Sequence, residues 1–371
     1  RWSRAASATR SSGTCLLGNK ILTISQLDRW RVRLLTLLRS LRLPKPTSFY
    51  ASGDEFQLPL RAAEDPQPPV VLDRAELAYL VGFFDGDGCV SVCERHSACE
   101  LSVKQSMQHP QVLLIFLRAL GGAVYASDVP RGGRHPVLAW RAFGQEAQQA
   151  ARTLASMPSM KQEKLNMASC WPQCMHRRQL LAQKMQQLES PHFPTRALSW
   201  EYIAGFFDAE GCIVISPIHA GVRLEIGQKH RQILSSISRY IHEQLPTCKP
   251  SVAPMRKAQA FVLRVSKTSS SQLILCKLIE AGLLQKRQAA EIALSLSREN
   301  HAISRDMLTS IVGNQARYQR LDAEGCDRAR QICRLQTRLY HLRKAEGDME
   351  VIRPLQSEID ELKQRHVYSS A

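Results

Sequence analysis

One nine-residue phrase occurs twice in this chain, and no other feature restricts its fold as much. Residues 80–88 read Leu-Val-Gly-Phe-Phe-Asp-Gly-Asp-Gly, and residues 203–211 read Ile-Ala-Gly-Phe-Phe-Asp-Ala-Glu-Gly. Each copy places an acid directly before a final glycine, at Asp87 and Glu210, and then runs into a β-like stretch, Cys89 to Val92 and Cys212 to Ile215. The offset is 210 − 87 = 123 residues, and it also carries Gly82 onto Gly205, Asp85 onto Asp208, Cys89 onto Cys212 and Gln105 onto Gln228. An internal repeat means that one supersecondary unit is built twice and that the two copies share a core. Two helices that each end in a carboxylate suggest one site made from two half-sites.

The apolar spacing predicts the same element order in both copies. Asp73 is placed to cap a helix that carries Leu77, Leu80, Val81 and Phe84 on one face. Strands are expected near 89–95 and 100–106, a helix at 110–120, strands near 123–128 and 136–143, and helices over 145–155 and 161–188. Ser199 caps the second copy, with a helix to 208, strands near 212–218 and 222–228, and a helix at 230–244. Strands near 250–256 and 259–266 and helices from 269 to 299 complete it. The fold class is therefore α/β in the α+β sense, two pseudo-symmetric αββαββα repeats followed by helix. Expected boundaries are a basic extension and linker over 1–72, a first repeat over 73–188, a connection over 189–199, a second repeat over 200–300 and a helical tail over 301–371. In the tail, Leu335, Leu339, Leu342, Leu355, Ile359 and Leu362 recur at helical spacing, and Gly347-Asp348 and Pro354 predict a break near 345–350. That pattern reads as a helical hairpin or short coiled coil.

Composition narrows the partner. A net charge of +17 over 371 residues suits a polyanion, because neutralising phosphates releases counterions. Eleven cysteines, an odd number without a framework of spacings, read as thiols of a reducing compartment. Cys170, Cys174 and His176 lack a fourth spaced ligand and a CxxC pair, so they are not read as a zinc site. No apolar run approaches the length of a membrane span. The first 50 residues hold a single acid, Asp28, and Ile21 to Leu41 has apolar residues near helical spacing among arginines. A basic, amphipathic, acid-poor start of this kind resembles an organellar transit peptide. The expected location is a chloroplast or mitochondrion, with the nucleus as the alternative. A chain that starts at Arg1 is expected to be a fragment or a processed form.

The repeated phrase resembles the LAGLIDADG motif, and two copies in one chain look like a single-chain LAGLIDADG homing endonuclease. The resemblance covers residues 74–300 and leaves both ends outside it. It implies saddle-shaped antiparallel sheets, a monomer with pseudo-twofold symmetry, double-stranded DNA as partner, and phosphodiester hydrolysis with Mg²⁺ or Mn²⁺. It makes Asp87 and Glu210 the metal ligands, at helix C-termini where an anion is otherwise disfavoured. It assigns Gln105 and Gln228 to metal-bound water and Lys161 and Lys286 to the active-site lysine, while Asp85 and Asp208 are structural. Strand alternation puts Ser91, Cys93, Arg95, Ser102 and Lys104 on the open face of the first repeat, and Ser216, Arg223 and Glu225 on that of the second. Such a face can lie in a major groove, and Arg131, Arg134, Arg256 and Lys257 sit in loops able to reach phosphates. Two departures stand out: Val81 replaces a small residue in the first motif, and Glu210 replaces aspartate in the second. Members of the family also act as intron RNA maturases or as non-cleaving DNA-binding proteins, so intron RNA is the alternative partner.

Overall fold

The computed structural model describes residues 14–17, 20–23, 30, 33–34, 45–65, 71–93, 98–128, 136–188, 198–216, 219–255, 259–312, 323–345 and 348–369. Its larger compact unit spans 46–128 and 136–322 and contains both repeats. The first repeat begins with helix α1 (Arg74–Asp87). Asp73 accepts from the Glu76 backbone N–H at 2.7 Å, and the Glu76 carboxylate accepts from the Asp73 N–H at 3.0 Å. This reciprocal cap fixes where the helix starts. Every residue from Ala78 to Asp85 is buried, so α1 is covered all round rather than on the single face its spacing predicted. It packs on its own sheet and also on α6 (Trp200–Glu210), its counterpart in the second repeat.

The first sheet has strands β5 (Leu60–Arg61), β6 (Gly88–Cys93), β7 (Ala98–Ser106), β8 (Ala123–Asp128) and β9 (Val137–Phe143), in the order β5-β8-β9-β7-β6. Helices α2 (Gln111–Leu120), α3 (Gly144–Ala155), α4 (Gln162–Ser169) and α5 (Met175–Gln187) complete the repeat. The single helix expected over 161–188 is thus two. Pro172 has no N–H to continue the ladder and biases Trp171 away from helical geometry. After α6, the second repeat has β10 (Gly211–Ile215), β11 (Val222–Gln228), α7 (Arg231–Gln244), β12 (Ser251–Pro254), β13 (Phe261–Val265), α8 (Thr268–Glu280) and α9 (Arg287–Leu294), with sheet order β10-β11-β13-β12. That order is the first sheet's without β5. Helix α10 (His301–Val312) packs on α9 and so continues this unit past the expected boundary at 300.

A second correction lies before residue 73. The proline-rich stretch read as linker holds a hairpin of β3 (Ser48–Ala51) and β4 (Asp54–Gln57), with the Phe49 and Phe56 rings stacked at 5.4 Å and buried in the main core. Leu60 is buried too, β5 adds a fifth strand along the edge of β8, and Asp65 binds Arg118 at 2.7 Å. Burial of three large apolar side chains outweighs the punctuating prolines, at about 1.5–3 kcal/mol each.

The second unit comprises 1–45, 129–135 and 323–371. Its α11 (Ala323–Lys344) and α12 (Met349–Ser369) form the expected hairpin, closed by Leu339, Ile352, Leu355 and Ile359. Pro354 lies inside α12 rather than at the break. Strands β1 (Thr14–Leu17) and β2 (Lys20–Thr23) pair as a hairpin, so Ile21 lies in a strand and not in the helix expected from it. Trp30, Arg33 and Leu34 are helical and exposed. The rest of that expected targeting helix lies outside the described residues.

Candidate active site

Helices α1 and α6 meet in backbone contact. A Cβ added to Gly82 would lie 2.0 Å from the Tyr202 carbonyl oxygen, and one added to Gly205 would lie 1.9 Å from that of Tyr79. One turn on, a Cβ at Gly86 would strike the Ala209 Cβ at 2.3 Å. The small residues therefore serve approach, and the approach brings the two helix C-termini together. Val81 is accommodated, fully buried, opposite a second motif that carries Ala204.

The two acids of each motif have separate surroundings. Asp85 is buried and accepts from Ser159 Oγ (2.5 Å), the Met160 N–H (2.7 Å) and, across the repeat boundary, Tyr202 Oη (2.7 Å). Asp208 accepts from the N–H groups of Leu284 (2.7 Å), Gln285 (3.0 Å) and Lys286 (2.8 Å) and from Tyr79 Oη (2.7 Å). These acids hold the loops before α4 and α9 and stitch the two motif helices together. Both are buried with their carboxylates bonded within the protein, and a structural role is what this geometry gives them. The crossed tyrosines were missed at the sequence level, although 202 − 79 = 123 is the motif offset.

Those loops deliver the lysines. Lys161 Nζ donates to the carbonyls of Phe84 (2.6 Å), Asp85 (2.9 Å) and Gly88 (2.5 Å), and Lys286 Nζ donates to that of Asp208. A cation on the last carbonyls opposes the negative end of the helix dipole. Burial pulls both lysine pKa values down, and the nearby carboxylates oppose that pull.

Asp87 and Glu210 are the last residues of α1 and α6. Gln105 Nε2 donates to Asp87 Oδ2 at 2.6 Å, and Gln228 Nε2 to Glu210 Oε1 at 3.3 Å. Both glutamines continue the inward-facing rows Leu101–Val103 and Leu224–Ile226, at the strand ends where the sheet runs past the helix. The Asp87 pKa is raised by burial against the pull of Gln105, Lys286 and Lys161. That of Glu210 is raised by burial and then by Asp87 itself, against both lysines and Gln228. Beside this pair lies a cleft of about 370 Å³ lined by residues that include Gly86, Lys161, Glu210, Gln228, Lys229 and His230. His230 and Lys229 were not singled out from the sequence, where the first repeat has Met107 and Ser106 at the same offset. Burial first, then Lys229 and Lys161, push the His230 pKa down.

On the open faces, Lys104 and Arg223 are exposed and Ser91 is half-buried. Ser102 departs from expectation: it is 8 % exposed, a short side chain on an interior strand between Cys89 and Arg141 of the flanking strands. Ser216 falls just beyond β10 rather than in a strand, and its hydroxyl meets His219 Nδ1 at 3.0 Å. Glu225 Oε1 binds Arg223 Nε at 3.0 Å and Arg264 Nε at 2.8 Å, so its charge is matched within the protein. Arg264 and its counterpart Arg141, which faces Glu100 at 3.5 Å, are further residues that the 123-residue offset could have found. The Cys93 side chain and residues Arg95, Arg131, Arg134, Arg256 and Lys257 lie outside the described residues.

Two halves of one topology, joined through paired helices with an acid at each end, define a pseudo-symmetric two-motif protein. Solved structures similar to this chain are LAGLIDADG meganucleases and homing endonucleases. I-AabMI bound to uncleaved DNA is 15 % identical with a TM-score of 0.48, over 65 % of this chain and 99 % of that one. I-SmaMI bound to uncleaveable DNA is 15 % identical with a TM-score of 0.47, over 68 % and 99 %. I-GzeII with its DNA target is 12 % identical with a TM-score of 0.44, over 65 % and 98 %. No family model and no curated protein matches the sequence.

Proposed function

We propose that this chain is a site-specific, metal-dependent DNA endonuclease that works as a monomer and cuts both strands of a duplex. The observation that carries this reading is the pair Asp87 and Glu210, set at two abutting helix ends against the helix dipoles and against each other. A purely structural interface needs the glycines and alanines but not these acids. The donors fit a hard cation: two carboxylates and two amide-bearing side chains, without a thiolate or imidazole bonded to either acid among the described residues. Such a donor set suits Mg²⁺ or Mn²⁺, ions that complete their shell with water and phosphate oxygens. When bound, such a cation would activate water and stabilise a leaving oxygen.

The chain's own residues have distinct tasks in this reading. Asp87 and Glu210 hold the cation. Gln105 and Gln228 orient the carboxylates and present an amide to the water shell. Lys161, with its ammonium directed at three carbonyls, offsets the negative helix end and lowers the cost of keeping both acids ionised. Lys286 has a single carbonyl partner among the described residues, which leaves N–H groups for a phosphate. The pair of Arg223 and Arg264, locked by Glu225, offers a planar donor array to duplex DNA.

The test is cleavage of a randomised duplex library with Mg²⁺, against Asp87→Asn and Glu210→Gln. Double-strand cuts at one sequence that need the cation and vanish in both variants support the reading. Specific duplex binding without cuts would replace it with a non-cleaving DNA-binding protein, and binding only to structured intron RNA would replace it with a maturase.

A further inference from the structure

The two repeats differ sharply at one place away from the carboxylates, the outer face of the helix that follows the long hairpin. Helices α2 and α7 align through buried residues: Val112 with Ile233, Leu113 with Leu234, Phe116 with Ile237 and Leu120 with Ile241, an offset of 233 − 112 = 121. The same offset places Arg118 on Arg239, Leu114 on Ser235 and Leu117 on Ser238. In the first repeat this face is filled by the chain itself. Strand β5 runs along β8, Leu114 and Leu117 are buried, and Asp65 neutralises Arg118 at 2.7 Å.

In the second repeat nothing among the described residues takes that place. Strand β12 is a sheet edge, and an open pocket remains, lined by Arg231, Ser235, Ser238, Arg239, His242 and Lys249 together with Pro250 and Val252. The lining has four basic side chains and no acid. Arg231, Arg239 and Lys249 form no ion pair among the described residues. Two further contacts fix the pocket's form: Ser238 Oγ donates to the Pro250 carbonyl at 3.2 Å, and His242 Nδ1 lies 3.1 Å from the Cys248 carbonyl. The Arg231 guanidinium rests 5.9 Å over the Phe261 ring. The leucines buried at these positions in one repeat are serines in the other. An apolar segment is therefore a poor occupant, and an anion with several oxygens is a good one.

We infer that this pocket is an anion site on the second repeat that grips a nucleic-acid phosphodiester, a contact with no counterpart in the first repeat. The inference rests on the nucleic-acid reading above, but not on cleavage. It also accounts for how two halves of one fold would hold a duplex unequally: one half covers its flank with protein, the other with substrate.

The test uses the full chain and an arbitrary duplex, for which only backbone contacts matter. Binding is measured against salt for the wild type and for Arg239→Ala/Lys249→Ala. Each lost phosphate contact lowers the slope of log K against log salt by about 0.9, so a drop of about 0.9 is expected for the one phosphate the pocket holds. Unchanged melting of the variant would show that the surface change leaves the fold intact, and Ser235→Glu, which sets a negative charge in the pocket and removes none of the basic side chains, should also weaken binding. A parallel titration with inorganic phosphate distinguishes the sources. If the pocket takes phosphate, loses it in the variant, and the DNA slope stays put, it is a small-anion site and the nucleic-acid assignment is overturned. If neither changes, the site itself is overturned. A wild type that cleaves nothing while the slope still falls in the variant would sink the nuclease reading and leave this one standing.

Discussion

Gly82→Ala tests the helix contact that the whole site depends on. Ordinary contact for a Cβ begins at 3.4 Å, and the Tyr202 oxygen lies at 2.0 Å, so 3.4 − 2.0 = 1.4 Å must be found. The oxygen belongs to a helical peptide and cannot swing aside alone, so α1 and α6 have to separate. Overpacking a close-fitted core costs about 1–3 kcal/mol, and a contact with backbone on both sides belongs at the upper end. For a unit of this size, about 3 kcal/mol lowers Tm by about 6–12 °C. Asp87 lies five residues beyond Gly82 on the same helix, so the displacement reaches the carboxylate pair, and a shift of about 1 Å in a reacting constellation costs about 10²-fold in rate. Gly205→Ala should behave alike, with its clash at 1.9 Å against Tyr79. Both alanines demand the same separation, so the double variant should lose little more than either single one, a clear departure from additivity. Urea unfolding and single-turnover cleavage provide the measurements. A Gly82→Ala variant with unchanged midpoint and rate would show that the helices do not approach this closely. A double variant whose losses simply add would show that the two clashes are relieved separately.

The carboxylate pair should cost stability. Asp87 and Glu210 have raised pKa values in the folded protein, so their contribution favours folding while they are protonated and is lost as pH rises through the folded values. Metal-free Asp87→Asn and Glu210→Gln should therefore melt above the wild type at about pH 7, with the gap closing as pH falls towards about 4; a wild type that melts higher at neutral pH would refute this. Mg²⁺ should raise the wild-type Tm and not that of the variants, the gain reaching about 2.7 kcal/mol at one hundred times Kd; equal shifts in all three would place the ion elsewhere. Lys286→Met removes a cation that holds both acids ionised. Cleavage should fall by about 10²-fold, and the acid limb of the pH–rate profile should move to higher pH. A rate loss with an unmoved limb would mean that the lysine contacts phosphate only.

The motif pair, both helix caps and the order of elements along the chain were legible because each rests on a local pattern, and the glutamines because the motif offset pairs them. The 123-residue offset even carried information that went unread, in Tyr79 with Tyr202 and Arg141 with Arg264. What could not be read was non-local. The prolines around residues 44–69 signal a linker by local rules, yet Phe49, Phe56 and Leu60 join a core supplied by residues further along the chain. Alternation placed Ser102 on the right face but could not tell that the strands on either side would cover it. The lysines were located by position, while their task at the helix-end carbonyls depends on loop conformations that Asp85 and Asp208 fix.

That dependence sets the two acids of each motif against one another in a way that mutation can separate. Asp208 receives three backbone N–H groups and one tyrosine hydroxyl, whereas Asp85 receives one backbone N–H and two hydroxyls. A hydroxyl can turn and accept from an amide, but a backbone N–H cannot. Asp85→Asn can thus keep its oxygen on Met160 and Tyr202 and turn its amide to Ser159. In Asp208→Asn, an oxygen set on Leu284 and Gln285 leaves the amide facing the Lys286 N–H, donor against donor. One buried donor without an acceptor costs about 1–3 kcal/mol, so Asp208→Asn should be the more destabilising of the two, and it should loosen the loop that carries Lys286. Two residues further along each motif the sign reverses, since Asp87→Asn and Glu210→Gln are expected to stabilise the metal-free fold while abolishing cleavage. Equal destabilisation by Asp85→Asn and Asp208→Asn would mean that charge, not donor geometry, is what these buried acids contribute.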